Sequence, residues 1–474
     1  MAKFTQTIGN IFKIEELRQR ILFTFGILLV VRVGAFITLP GIDLQVLRAS
    51  MGHFSTGSFW DIFNVFSASD SKDSLFNLLD MFVGGAFNNA AIFAVGIMPY
   101  ITASIILQLG GFVIPQIQKM QKEGEEGRRK INQYTRLGTV VIAAMQGWGI
   151  SIKLLNQNYS GIPVVATSPY LFTITTIILI TAGTVFLMWL GEQITEKGIG
   201  NGISLIIAIG IVARFPSAII QEIKSLFPEG LKSLFMQNVG NKNIVVDMII
   251  LLFLIAVIAG VTFITQGARR IPVQYAKRQV GRKVFGGTTQ YIPIPVLSAN
   301  VMPIIFAQSL IFIPATIASF FPNTRWLHEF ANMFSERSYF YALVYSIMII
   351  LFTYFYTAII FNPRDMADNI KKQGGFIPGI RPGDQTSEYF DGILYRITLP
   401  GSIFLAIVAI LPTFMMKVFG VDSALASFFG GTSLLIVVGV ALDTLNKIES
   451  YLLMRHYDGF MKSGRIKGRS SGSY

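Results

Sequence analysis

The chain has 474 residues, 52% of them hydrophobic and only 14% charged, a balance that excludes an ordinary soluble domain, whose surface needs more charge. Cysteine is absent and the three histidines, His53, His328 and His456, lie far apart, so neither a disulfide framework nor zinc-ligand spacing is available. No Walker-type phosphate loop occurs, so no cofactor, no metal and no nucleotide hydrolysis are expected.

In chain order, the lead "IFKIEELRQR" is charged and roughly amphipathic. It enters an apolar stretch, 21–39, that lacks a small-residue cleavage site and reads as a retained span, not a signal peptide. Further stretches follow at 92–113, 137–156, 170–190, 202–220, 245–265, 298–320, 340–361, 393–415 and 430–450. Each is about 20 residues long, enough to cross ~30 Å of hydrocarbon. Their apolar residues lie on all faces, whereas a barrel would need short alternating segments. The expected fold is an all-α polytopic membrane protein with about ten transmembrane helices.

The net charge of +13 is unevenly placed. Lys119, Lys122, Arg128, Arg129, Lys130 and Arg136 share one set of connections. Arg269, Arg270, Lys277, Arg278, Arg282 and Lys283 fall on the same side, as do Arg364, Lys371, Lys372, Arg381, Arg396 and a basic tail. The first alternate connection instead carries Asp43, Asp61, Asp70, Asp73 and Asp80. Positive-inside bias therefore puts both termini and the basic loops in the cytoplasm. The expected location is the plasma membrane, since no transit-like leader is seen.

The basic loops near 266–296 and 362–391 are longer than topology requires. The first is rich in aromatics and glycines, and no acidic residue occurs from 267 to 296. Contact with anionic lipid headgroups is one reading. A protruding basic surface for an RNA-rich partner or a cytoplasmic motor is the other, because phosphate contact is driven by Lys and Arg. Inside the spans, ionisable residues are few: Arg32 in the first, Glu192 near the end of the fourth, Asp443 toward the end of the tenth. Ion-coupled transporters place more charge there. The interior polar residues are neutral, including Thr102, Ser104, Gln108, Asn201 and Gln308. They serve either as helix–helix glue, worth roughly 1 kcal/mol or less per bond, or as a seam that meets water or opens sideways.

The stretch "MFVGGAFNNAAIFAVGIMPYI", 81–101, leads into a span with two glycines and two asparagines, and Pro99 interrupts it. Taken alone, it reads equally as an ordinary kinked helix with a frayed lead or as a segment that meets a water-filled space.

Several strings carry a resemblance: "GIMPYITASIILQL", "KEGEEGRRKINQYTRLGT", "FLMWLGEQITEKGIGNGISLI", "RRIPVQYAKRQVGRK", "FNPRDMADNIKKQGGFIPGIRPG" and "FGGTSLLIVVGVALD". Together they resemble the SecY family, the central subunits of the protein-conducting channel, from about residue 10 to 460. The resemblance implies two pseudo-symmetric five-helix halves, 1–220 and 221–474, an hourglass pore, and a plug near 78–90. It assigns Phe82, Val83, Gly84, Gly85, Ala86 and Phe87 to the plug. A ring of Ile97, Ile101, Ile203, Ile207, Ile305 and Ile436 would form the waist; 97/101 and 203/207 share a helix face as i,i+4 pairs. An aliphatic constriction dewets and so excludes ions. The front would open between helices two and three and helices seven and eight, near Thr102, Gln108 and Gln308. Arg282 and Arg381 would engage cytoplasmic partners. Those implied are the SecA motor ATPase or a ribosome, with SecE and SecG as small membrane subunits. Secretory preproteins and nascent membrane proteins would be the cargo, and no catalytic residue is implied.

Two departures from the family pattern stand out. "SASDSKDSLFNLLD", 67–80, reads as an insertion before the plug, and Leu297 replaces an asparagine often found before the seventh helix. The rival readings are a ten-helix transporter for a small solute, which would need intramembrane charge and a ligand pocket, and a membrane scaffold.

Overall fold

The structure, a computed structural model, describes residues 14–43, 46–47, 83–87, 89–156, 158–159, 162–226, 244–275, 278–280, 283–285, 289–297, 301–320, 324–334, 338–418, 426 and 432–463. Helices dominate them. In chain order they are α1 (Glu15–Gly34), α2 (Met98–Val113), α3 (Pro115–Lys122), α4 (Glu125–Leu155), α5 (Pro169–Lys197), α6 (Gly202–Leu226) and α7 (Ile244–Gln266). Then come α8 (Met302–Phe320), α9 (Arg325–Met333), α10 (Tyr339–Ile360), α11 (Pro363–Lys372), α12 (Asp384–Val418) and α13 (Thr432–Ser463). Apart from the short α3, α9 and α11, each overlaps one of the apolar stretches read from the sequence. The segments 125–155, 169–197, 339–372 and 384–417 are each long and apolar enough to cross a bilayer.

The surfaces of these helices fit hydrocarbon. Phe25 on α1 is 67% exposed and Phe263 on α7 is 80% exposed, with Leu351 and Ile347 outward on α10. In water such continuous apolar cover would drive association; in lipid it is the natural surface. Many hydroxyls within the spans are consumed locally, while those of Thr176, Thr181 and Thr184 on α5 are buried with no partner among the described residues. Thr135, Thr139, Thr353 and Thr357 each donate to the carbonyl four residues back, at 2.6–2.9 Å, so they present little polarity to lipid.

The second span differs from its sequence reading. Helix begins at Met98, not at 92, and Pro99 lies in its first turn, where a missing N–H has no helical acceptor to lose. Pro99 therefore starts the helix and does not bend it. The bend lies further on, where 98–111 and 115–121 meet at 102°. Pro115 is the cause. A residue before proline is pushed out of the helical region, and Ile114 is extended, with φ −103° and ψ 111°.

One large apolar cluster joins α1, α2, α5, α6, α7, α8, α10, α12 and α13. A second gathers Leu39, Ala90, Val95, Ile150, Val164 and Phe172 beside the short hairpin β1 (Asn158–Tyr159) and β2 (Ile162–Pro163). The third lies in the basic loops. Strand β3 (Ala268–Tyr275) follows α7, then β4 (Arg278–Val280) and β5 (Lys283–Phe285) pair as a hairpin, and β6 (Thr289–Pro295) returns along β3. β7 (Gly375–Phe376), from the other large loop, pairs with β3 on its far edge. Ile271 and Val273 alternate inward from β3 and meet Ile294, Ile370, Ile377 and Phe390. The two loops thus share one small core.

Candidate functional site: a buried turn segment and an aliphatic centre

Just before α2, the described residues from 84 to 97 pass through the protein interior without regular helix. Residues 84–87 and 89–97 are almost all turns, yet Gly84, Gly85, Ala86 and Ala90–Ala91 are buried. Non-helical backbone at membrane depth requires protein around it and a partner for each polar group. The segment supplies many of those partners itself: Asn89 N–H donates to Gly85 O (3.2 Å), Ala90 to Phe87 O (2.9 Å) and Ala91 to Ala86 O (2.9 Å). Its far end is tied to the chain leaving α1, with Leu39 N–H on Ala90 O and Ile92 N–H on Ile37 O, both at 2.9 Å.

Gly84 and Gly85 hold φ of +69° and +92°, the left-handed region where glycine carries no Cβ penalty. At Gly84 there is also no room. A Cβ there would lie 2.5 Å from Arg32 Nη1 and 2.9 Å from the Gly210 backbone of α6. Arg32 donates from Nη1 to Gly84 O at 3.1 Å and lies over the Phe36 ring, 5.7 Å from its centroid. Of the residues the resemblance assigns to the plug, Val83 and Phe87 are half-buried and Gly84, Gly85 and Ala86 are buried. Phe82 and the 67–80 stretch lie outside the described residues.

The isoleucines come from four helices and fall within the one large apolar cluster or pack against it. Ile97 caps α2, Ile101 lies one turn inside it, Ile207 is on α6, Ile305 on α8 and Ile436 on α13. All five are 1–8% exposed and belong to the large cluster, and half-buried Ile203 packs against it. Ala86, Ala91 and Phe93 of the turn segment belong to the same cluster. A cavity alongside is lined by Arg32, Val83, Gly96, Ile97, Ile206 and Ile207, among others. Chemically this region is predominantly apolar, with the Arg32 guanidinium among the groups lining its cavity.

The neutral polar residues fall in two groups. Thr102 donates to Met98 O (3.1 Å) and Gln108 to Ser104 Oγ (3.1 Å), both within α2. Gln308 on α8 is 2% exposed, and its Nε2 meets no acceptor among the described residues. Helix α8 contacts α2, α4 and α10. Of the interior charges, Glu192 forms a two-pronged pair with Arg136 at 2.7 and 3.1 Å, tying α5 to α4. Asp443 pairs with Lys447 one turn on, at 3.2 Å. Sequence reading noted Arg32 as a charge in a span but did not connect it to Gly84, 52 positions away. The charge itself was the available signal, since an ionisable group at membrane depth calls for a named partner.

In the turn that follows β7, Arg381 is exposed, and its carbonyl accepts from Thr386 Oγ1 at 2.9 Å. Gly379 and Gly383 flank it with φ of +82° and +111°, conformations a tight turn needs and glycine permits. Arg282 lies outside the described residues, between β4 and β5 in sequence.

Comparison with known proteins places this architecture. A family model described as SecY matches residues 91–445. The chain is 46% identical over 462 residues to the protein translocase subunit SecY of Halalkalibacterium halodurans, covering 96% of this chain and 100% of that one. It is 42% identical over 457 residues to the protein translocase subunit SecY of Escherichia coli K12, covering 96% of each. Among solved structures, a protein-conducting channel superposes with a TM-score of 0.59 at 19% identity, covering 95% of both chains. Sec61 from a canine ribosome–channel complex superposes with a TM-score of 0.57 at 17% identity, again covering 95% of both chains. At those identities the two structures speak for the fold alone, that of a multi-pass helical membrane protein. Sequence likeness over nearly the whole length speaks for descent, and the chain belongs to the SecY family.

Proposed function

We propose that this chain is the channel-forming subunit of a protein translocase, passing unfolded secretory polypeptides across the membrane and releasing hydrophobic segments sideways into lipid. The reading is carried by one observation: isoleucines from α2, α6, α8 and α13 meet in a single buried cluster with the turn segment 83–97 packed into it. Such a centre holds back ions because it offers them no hydrogen bond, and it grips no passing side chain for the same reason. A thin barrier of this kind costs a charged residue in transit only brief loss of water. No covalent step is needed. Residues near 78–90 serve as the plug; of these, 83–87 and 89–90 are described, and the turns at 84–87 and 89–90 suit a part that must leave its seat.

The seam between α2 and α4 on one side and α8 and α10 on the other serves as the lateral exit, with Thr102, Gln108 and Gln308 near it. The two halves, 1–220 and 221–474, move apart there. Both termini and the β3–β6–β7 unit face the cytoplasm of a cell with this chain in its plasma membrane. Arg381 and Arg282 on that unit engage the SecA motor ATPase or a ribosome; the fold shared with a ribosome-bound channel supports the second partner. SecE and SecG complete the membrane complex, and anionic lipids contact the basic rim.

Reconstitution tests the reading. Vesicles holding the chain with SecE and SecG, given SecA and ATP, import a preprotein into a protease-protected space. If no preprotein is protected although the complex is intact, the transporter and scaffold readings gain and this one fails. Arg282→Glu weakens cosedimentation with the cytoplasmic partner; undiminished cosedimentation removes that residue from the docking surface.

A further inference from the structure

Arg32 is a guanidinium within the first span, and the aliphatic centre has no use for it as a seal. A charge at membrane depth is costly and persists when it has a partner and a task. Its Nη1 donates to Gly84 O at 3.1 Å, and Gly84 belongs to the turn segment, not to a helix. The carbonyl can point at Arg32 because Gly84 holds φ +69°. The approach is close enough that a Cβ would collide with Nη1 and with the Gly210 backbone. Arg32, Val83, Ile97 and Ile207 line the same cavity. Phe36, one turn along in sequence, lies beneath the guanidinium and steers it.

We infer that Arg32 is the positioning residue that latches the plug in the closed channel, through a charge-assisted bond to the Gly84 carbonyl. The inference rests on the plug reading of this segment. The bond suits a latch. It joins a side chain on a fixed span to a backbone carbonyl of a part that moves, and in a low-dielectric surrounding such a bond is stronger than in water. It is also released without leaving an ion pair to separate, because the acceptor is neutral. When the turn leaves, water entering the vestibule can solvate the guanidinium in place of the carbonyl.

The test uses the full chain reconstituted with SecE and SecG in a planar bilayer, with resting ion conductance as the readout. Arg32→Gln keeps a polar side chain of similar reach but no charge. It should raise the resting leak roughly ten- to hundredfold, the range for loss of a bond to a charged group. Arg32→Lys, which keeps the charge, should fall between Arg32→Gln and the parent. Gly84→Ala should leak because it unseats the same contact. The double variant should leak no more than the leakier single variant, since both remove one interaction. A chain lacking residues 83–87 is the control for the plug reading. If Arg32→Gln seals like the parent while the deletion leaks, the latch is wrong and the plug stands. If the double variant leaks as the product of the two singles, Arg32 acts elsewhere and the latch is wrong. Should the deletion also seal, the plug reading itself falls. Where Arg32→Gln does not accumulate, Arg32→Lys carries the comparison, and parent-like sealing overturns the latch.

Discussion

The turn segment 83–97 and the β3–β6–β7 sheet are both non-helical backbone in a helical protein, but they meet opposite surroundings. The sheet satisfies its backbone by ladder pairing, from Ala268 against Pro295 through Gln274 against Thr289. It turns Ile271 and Val273 inward and leaves Arg381 on an exposed turn. The turn segment has no ladder. It satisfies its backbone with short turns, with a single antiparallel bridge to the chain leaving α1 and with the Arg32 guanidinium, and it packs among apolar side chains. On the function proposed above, the contrast separates two ways of meeting a partner: recognition by charge at the exposed turn, which selects, and passage through a centre poor in polar groups, which admits many sequences and excludes ions.

Four measurements break or sharpen that contrast. The largest effect is expected at the centre. Ile97→Ser with Ile436→Ser puts hydroxyls into the aliphatic cluster, so a planar-bilayer recording should show ion leak rising roughly tenfold or more. Preprotein import should persist. Unchanged conductance would remove these isoleucines from the barrier. Next comes the small core shared by the two basic loops. Phe390 is fully buried there, and Phe390→Ala should cost about 3–5 kcal/mol. Hydrogen exchange should show lost protection in β3 and β6 while the membrane helices stay protected; equal loss in the spans would mean the unit is not separate.

Arg381→Glu comes third. It reverses a charge on an exposed turn and should slow motor-driven import about tenfold, the scale of a lost charge pair at an interface, with the protein itself inserted normally. Parent-like import kinetics would take charge recognition away from this turn. The smallest effect belongs to Glu192→Gln. Its pair with Arg136 is well aligned, but Arg136 is half exposed. Thermal stability should fall by about 0.2–1 kcal/mol, and a much larger loss would show the pair to be shielded by lipid.

Some of this was readable in the chain before any coordinates. The apolar stretches matched the helices to within a few residues at most ends, because hydropathy over some 20 residues is a local sum that lipid reads directly. The bend at Pro115 was also legible in principle, since proline acts on the residue beside it. Attention went to Pro99, whose place in the first turn depends on where the helix starts. That start is decided by the buried turns before it, not by the proline. In the loop 266–296 no strand was expected; the alternating Ile271 and Val273 were a local signal for one, but nothing local announced that Gly375 and Phe376 would pair with its far edge.

Sequence by itself determined that the chain spans the membrane many times, that its interior carries little charge, and that its basic residues gather on alternate connections. These follow from transfer energies of single residues, which add along a segment. Tertiary structure alone decided that isoleucines from four helices share one cluster, that two distant loops share one core, and that Arg32 reaches Gly84. Each depends on elements brought side by side from tens or hundreds of positions apart, and the geometry of such an approach is a property of packing that no local window contains.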